Sequence, residues 1–110
     1  MLVLPLLPTT SPQRTESLFV YGTLLNPYIR AYACWCRTAT TPATLPGYKK
    51  TGLNIVPSED AQVSGAIIKV GQAELARIDR YEDVPQNYVR TQVRIADETH
   101  WVYSKAELKE

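Results

Sequence analysis

Histidine is nearly absent from this chain: His100 is the single one in 110 residues, and only two cysteines, Cys34 and Cys36, accompany it. A zinc site draws most of its ligands from that set, so no metal is expected. The same scarcity leaves no Cys/His pair whose geometry suggests nucleophilic catalysis. With only Trp35 between them, the two cysteines are poorly placed to bridge each other, and the expectation is two reduced, part-buried thiols of an intracellular protein. An excess of charge is missing too. Twelve Lys and Arg face eleven Asp and Glu, for a net charge of +1, and Lys49-Lys50 is the only adjacent basic pair. Phosphate backbones need a clustered basic face, so nucleic acid is not an expected partner. No apolar run approaches the ~18 residues of a membrane span. Met1–Pro8 is apolar, but Pro5 and Pro8 interrupt it, and it has neither a basic flank nor a small-residue cleavage site. A cytoplasmic protein without a membrane partner is expected. No internal repeat is visible.

What is present fits one small domain. An apolar content of 45% is ordinary for a globular chain, and a core of this size leaves apolar surface that a homodimer would help to bury. Residues 9–17 are polar and contain Pro12, so 1–16 reads as a flexible arm and 17–110 as the single domain.

Leu18–Tyr21 reads as a strand that runs into Gly22-Thr23. Asn26–Arg37 reads as a helix, with Asn26 as N-cap and Pro27 at the first helical position. Residues 38–44 read as loop, Leu45-Pro46-Gly47-Tyr48 opens an extended stretch to about Val56, and Pro57-Ser58-Glu59-Asp60 reads as a turn. Val63–Val70 is a strand in which Gly65 marks a bulge or a close backbone approach. Residues 72–83 form a helix that Val84-Pro85 stops. Tyr88–Ala96 alternates with period two, Asp97-Glu98 turns, His100–Tyr103 returns, and Ser104–Glu110 is a charged, fraying end. Long β-runs that do not alternate with helices imply an α+β fold with flanking helices and a mainly antiparallel or mixed sheet, curled or partly closed into a barrel.

Two features carry chemistry. Backbone N–H groups of Gly22, Thr23 and Leu24, at the end of a buried strand, can converge on an anionic group or on an oxygen that gains charge during reaction. Tyr21 either packs or donates its hydroxyl there. The plain alternative is a strand-to-helix turn that holds no ligand. The second feature is Glu82. At about 100° per residue, with Leu75 at zero, Ile78 falls near 300° and Glu82 near 340°, on the apolar stripe, while Arg77 and Arg80 lie opposite. A carboxylate there is held toward neutrality by burial, which suits a general acid/base, unless its head escapes to solvent from the last helical turn. Asp79 flanks the same stripe and reads as a surface partner of a nearby Arg or Lys, and Tyr88, Trp101 and Tyr103 read as packing aromatics.

Leu18-Phe19-Val20-Tyr21-Gly22-Thr23-Leu24, Leu45-Pro46-Gly47-Tyr48, Val63-Ser64-Gly65-Ala66-Ile67, Leu75-Ala76-Arg77-Ile78-Asp79-Arg80-Tyr81-Glu82, Tyr88-Val89-Arg90 and Trp101-Val102-Tyr103 follow one another in this order. Together they resemble the γ-glutamylcyclotransferase-like family, and in particular its small γ-glutamylamine cyclotransferase-type members. The resemblance implies a small mixed α/β-barrel-like fold with a cavity. It implies that the Tyr21–Leu24 loop holds a γ-glutamyl group through backbone amides, that Glu82 is the acid/base, and that Tyr103 lines the cavity. It further implies a cofactor-independent release of 5-oxoproline and a free amine from a small γ-glutamyl substrate. A non-catalytic binder using the same pocket, or an interaction module docking through the apolar arm, are the competing readings. One departure stands out: the family often has glycine directly after the glutamate, where this chain has Asp83. A second carboxylate there either raises the Glu82 pKa further, changes access, or marks an inactive member.

Overall fold

The computed structural model describes residues 15–36 and 38–106. The order is β1 (Thr15–Val20), a 3-10 turn (Thr23–Leu25), α1 (Pro27–Cys34), β2 (Thr41–Thr51), β3 (Asn54–Gly71), α2 (Gln72–Tyr81), β4 (Tyr88–Ile95) and β5 (Glu98–Lys105). The strands form one mixed sheet in the order β2-β3-β1-β5-β4. β1 runs antiparallel to β3 and parallel to β5, and the two outer pairs are antiparallel. The sheet curls until its edge strands β2 and β4 touch, giving a half-barrel flanked by two helices, the α+β arrangement that the sequence implies. Most of the arm expected over 1–16 lies outside the described residues; Thr15 and Glu16 already belong to β1. Residues 107–110 of the expected frayed end also lie outside them. Among the described residues no helix is long and apolar enough to cross a membrane.

Alternation along β1 divides the core. Leu18 and Val20 pack under the helices with Ile68, Val70, Leu75 and Ile78. Phe19 and Tyr21 point into the curl with Leu45, Ile55, Val63 and Val102. Both faces of β1 are therefore apolar, as expected of a central strand. At its end, Gly65 of β3 lies so close that a Cβ there would collide with the Val20 carbonyl oxygen and the Phe19 ring. This is the close backbone approach that a glycine within a strand signals.

Three local expectations change. Pro57–Asp60 does not reverse the chain. Tyr48 pairs with Pro57 and Pro46 with Gln62, so residues 58–61 bulge opposite Gly47, and β3 continues through them. The reversal falls instead at Gly52, whose φ of +63° is the left-handed backbone that glycine adopts without strain. α1 ends at Cys34 rather than near Arg37, because Trp35 takes a left-handed conformation, φ 58°. That residue also turns Cys36 back toward Cys34. Their Cα atoms come within 5.2 Å, inside disulfide reach, and the two are bridged rather than reduced. The start of α1 is as expected: the Asn26 side chain accepts from the N–H groups of Tyr28 and Ile29, with Pro27 following.

Candidate active site

The strand pairing gathers one end of the molecule. Because β1 and β5 are parallel, Phe19 beside Val102, the loop that follows β1 emerges next to Tyr103. β4 runs the other way, so Tyr88 and Arg90 lie opposite Lys105 and Tyr103 at the same end. α2 delivers its C-terminus there. The curl is closed by the tip of the β2–β3 hairpin, where the Tyr88 hydroxyl donates to the Leu53 carbonyl at 2.8 Å and the Lys105 N–H to Asn54 Oδ1 at 2.8 Å. Between these parts lies a cleft of about 670 Å³ whose wall includes Tyr21–Leu24, Glu82, Tyr88 and Tyr103. All six residues singled out from the sequence as site candidates (Tyr21, Gly22, Thr23, Leu24, Glu82 and Tyr103) line this one space.

Leu24 is buried beneath its loop and anchors it. The first hydrogen bonds of the 3-10 turn run from the N–H groups of Leu25 and Asn26 to Gly22 and Thr23. The N–H groups of Gly22, Thr23 and Leu24 precede these bonds, so the turn itself leaves them unpaired. The buried Arg30 guanidinium fixes the loop from behind by donating to the carbonyls of Leu24 and Leu25 at 3.0 and 3.2 Å.

Glu82 caps α2, one residue beyond Tyr81, and its N–H still bonds to the Ile78 carbonyl at 2.8 Å. Leu75 and Ile78, the apolar stripe drawn from the sequence, are buried beneath it. The carboxylate is half-buried, and no described residue donates a hydrogen bond to it. Desolvation pushes its pKa above the ordinary carboxylate value. Asp83 plays no part in that shift. It is exposed on the cleft wall with a left-handed backbone, φ 60°, and accepts from Asn87 Nδ2 at 2.7 Å.

Three phenols surround this end of the cleft. Burial raises the pKa of each, and the charge of Glu82 adds to the effect on all three, so they stay neutral. The Tyr21 hydroxyl donates to the Tyr103 carbonyl at 2.5 Å. The Tyr103 hydroxyl donates to Asp79 Oδ1 at 2.6 Å. Asp79 pairs with an arginine, as expected, but not at the surface: it is only 22% exposed and takes a bidentate contact from Arg90 Nε and Nη2 at 2.8 and 2.9 Å. Tyr88 and the Asp79–Arg90 pair were not read as part of a site. Their signal was available, since Tyr88 and Arg90 share one face of an alternating strand and Asp79 flanks the Glu82 stripe.

The half-barrel and its one-ended cleft define a protein built around a site of small-molecule size. A sequence model of the family described as Gamma-glutamyl cyclotransferase, AIG2-like, matches residues 18–110. The chain is 33% identical over 94 residues to Protein AIG2 C of Arabidopsis thaliana, a match covering 79% of this chain and 56% of that protein. It thus spans little more than half the length of that relative. A solution structure of another Arabidopsis thaliana protein superposes with a TM-score of 0.72 at 31% identity, over 88% of this chain and 66% of the other. A gamma-glutamyl cyclotransferase superposes with a TM-score of 0.69 over 84% and 68%, a likeness of fold at 19% identity. The chain belongs to the γ-glutamyl cyclotransferase, AIG2-like family.

Proposed function

We propose that this protein cyclises a γ-glutamyl amine, releasing 5-oxoproline and the free amine, with Glu82 as acid and base. The observation that carries this reading is the position of Glu82: a half-buried carboxylate without a described donor, in the same cleft as Gly22–Leu24, whose N–H groups the 3-10 turn does not use. In the reaction, Glu82 takes a proton from the substrate's α-ammonium. The freed amine attacks the γ-carbonyl carbon of the same molecule, and a tetrahedral intermediate forms. The Gly22–Leu24 amides stabilise the charge on its oxygen. The proton held on Glu82 passes to the leaving nitrogen as its bond to carbon breaks. The ring nitrogen gives its remaining extra proton to the regenerated carboxylate, and the departing amine takes it up, so the lactam leaves neutral and the amine leaves as an ammonium. Substrate supplies both nucleophile and electrophile, so holding it folded supplies the proximity. A carboxylate with a raised pKa both accepts and returns the proton near neutral pH.

Glu82→Gln keeps the shape and removes the base. Release of 5-oxoproline from a panel of γ-glutamyl amines should fall by about 10²- to 10⁴-fold, while binding of the same compounds, followed by calorimetry, persists. In the parent, kcat/KM should fall as pH drops through the raised Glu82 pKa, because the protonated acid cannot accept the ammonium proton. Equal turnover by parent and variant would refute the assignment. Tight binding without turnover in both would establish a small-molecule binder instead.

A further inference from the structure

Tyr21, Tyr88 and Tyr103 line the Glu82 end of the cleft, and each has committed its proton elsewhere: to the Tyr103 carbonyl, the Leu53 carbonyl and Asp79 Oδ1. A phenol that has donated its hydrogen can only accept. The three phenols therefore face the cleft as acceptors, beside the donor side chains of Gln86, Asn87 and Lys105 on the same wall. Two of the three protons are absorbed by backbone carbonyls. The third, that of Tyr103, depends on a carboxylate outside the cleft wall. Both oxygens of Asp79 are held by Arg90 at 2.8 and 2.9 Å. The Arg90 guanidinium lies 4.3 Å from the centroid of the Trp101 ring, and Trp101 Nε1 donates to Glu16 Oε1 at 3.1 Å. A line of contacts thus runs from Glu16 of β1 to the phenol of Tyr103. Charge-assisted bonds of this kind fix an ionised carboxylate firmly.

We infer that Asp79, held by Arg90, is a positioning residue that draws the Tyr103 proton away from Glu82 and keeps the phenol oxygen of Tyr103, like those of Tyr21 and Tyr88, as an acceptor for a primary ammonium group. Glu82 is the other carboxylate whose charge acts on the Tyr103 phenol, in the same cleft, so without Asp79 it is the acceptor left to that hydroxyl. A phenol donating to it stabilises its charged form and lowers its pKa. It also occupies the oxygen that an incoming amine needs. Asp83 and Lys105, the other charged groups on the cleft wall, do not contribute to the Glu82 shift, which comes from burial. The ligand chemistry follows: an ammonium at the Glu82 end joined to a carbonyl or carboxylate at the loop end. This inference takes the role of Glu82 as acid/base from the proposed function, but its effect on Glu82 is readable without turnover.

The test is the titration midpoint of the Glu82 side-chain carboxyl, followed by ¹³C NMR of the full chain and assigned with Glu82→Gln. In Asp79→Asn the midpoint should fall by about one pH unit, the order of effect that a donated hydrogen bond has on a carboxylate. Adding Tyr103→Phe to Asp79→Asn should reverse most of that fall. If the fall persists undiminished in the double variant, it reflects only the lost charge of Asp79, and the inference is wrong. Tyr103→Phe alone, which keeps the Asp79–Arg90 pair, decides the matter if Asp79→Asn does not fold. Its midpoint should match the parent's, and a raised midpoint would mean that the phenol already donates to Glu82. Shifts as stated with no 5-oxoproline released would overturn the proposed activity and leave this inference standing.

Discussion

Asp83 occupies a left-handed backbone position, φ 60°, directly after the residue that caps α2. Helices commonly end on such a residue, and glycine is favoured there because it has no Cβ to crowd the carbonyl. Aspartate is among the few other residues that tolerate this region. The carboxylate beside Glu82, which from the sequence looked like a threat to the site, is thus explained by its backbone. It fills a glycine-type conformation and turns its side chain to Asn87. Asp83→Gly should therefore keep activity on γ-glutamyl amines within about twofold of the parent, since the raised Glu82 pKa comes from burial and not from Asp83, and the change relieves a strain of order 1 kcal/mol. Asp83→Val, β-branched at positive φ, should lose about 1–3 kcal/mol in urea unfolding. If the glycine variant is inactive, Asp83 has a chemical role that its hydrogen bond to Asn87 does not suggest.

At the scale of elements, the site depends on β1 ending where it does. Gly65 of β3 lets the Val20 carbonyl and the Phe19 ring approach β3 more closely than any side chain allows. Val20 is the last residue of β1, immediately before the Tyr21–Leu24 loop. Gly65→Ala should cost about 1–3 kcal/mol in denaturant unfolding, because the backbone must shift to admit a methyl group. It should also reduce kcat/KM for γ-glutamyl amines in the surviving folded fraction, because the shift passes directly into the loop. Unaltered stability would show that β1 and β3 separate without penalty. The Pro57–Asp60 bulge teaches a related point. Proline, serine and acidic residues interrupt a ladder as readily as they reverse a chain. Local composition does not distinguish the two; the pairing partner does.

For the whole molecule, two buried titratable groups act on stability in opposite directions. His100 is 2% exposed, with Nδ1 2.8 Å from Ser17 Oγ and the Glu98 carboxylate 3.9 Å from Nε2. Burial holds its pKa below the ordinary imidazole value, with Lys69 lowering it further and Glu98 and the Ile95 backbone opposing. The unfolded chain therefore binds this proton more readily, and stability present above about pH 6.5 is lost as pH falls. Glu82 has the opposite sign. Its folded pKa is raised, so the folded state binds the proton more readily and stability declines as pH rises through the unfolded carboxylate range. The thermal midpoint of the parent should fall between about pH 7.5 and pH 5.5, the range in which histidine titrates. His100→Gln should flatten that slope whatever it does to the absolute midpoint. An unchanged slope would show that His100 is protonated equally in both states.

Much of this protein was legible locally. The Asn26-Pro27 helix start, the apolar stripe of Leu75 and Ile78 that carries Glu82, the alternation of β4 and the glycine within β3 are consequences of short-range sterics and periodicity, which a sequence records directly. The strand-end loop of Tyr21–Leu24 was legible for the same reason. Other features rest on pairings between elements that are apart along the chain. Parallel pairing of β1 with β5 sets Tyr103 beside the loop. Closure of the curl sets Tyr88 against Leu53. Side chains of β4 and β5, Arg90 and Tyr103, reach across to α2 and give Asp79 its two partners. The bridge between Cys34 and Cys36 turned on the backbone conformation of Trp35. The sequence by itself determined which elements form and which side chains they carry, because those follow from neighbours along the chain. Only the tertiary structure decided which hydroxyls would give their protons to which acceptors, because a hydrogen bond is chosen by distance in space.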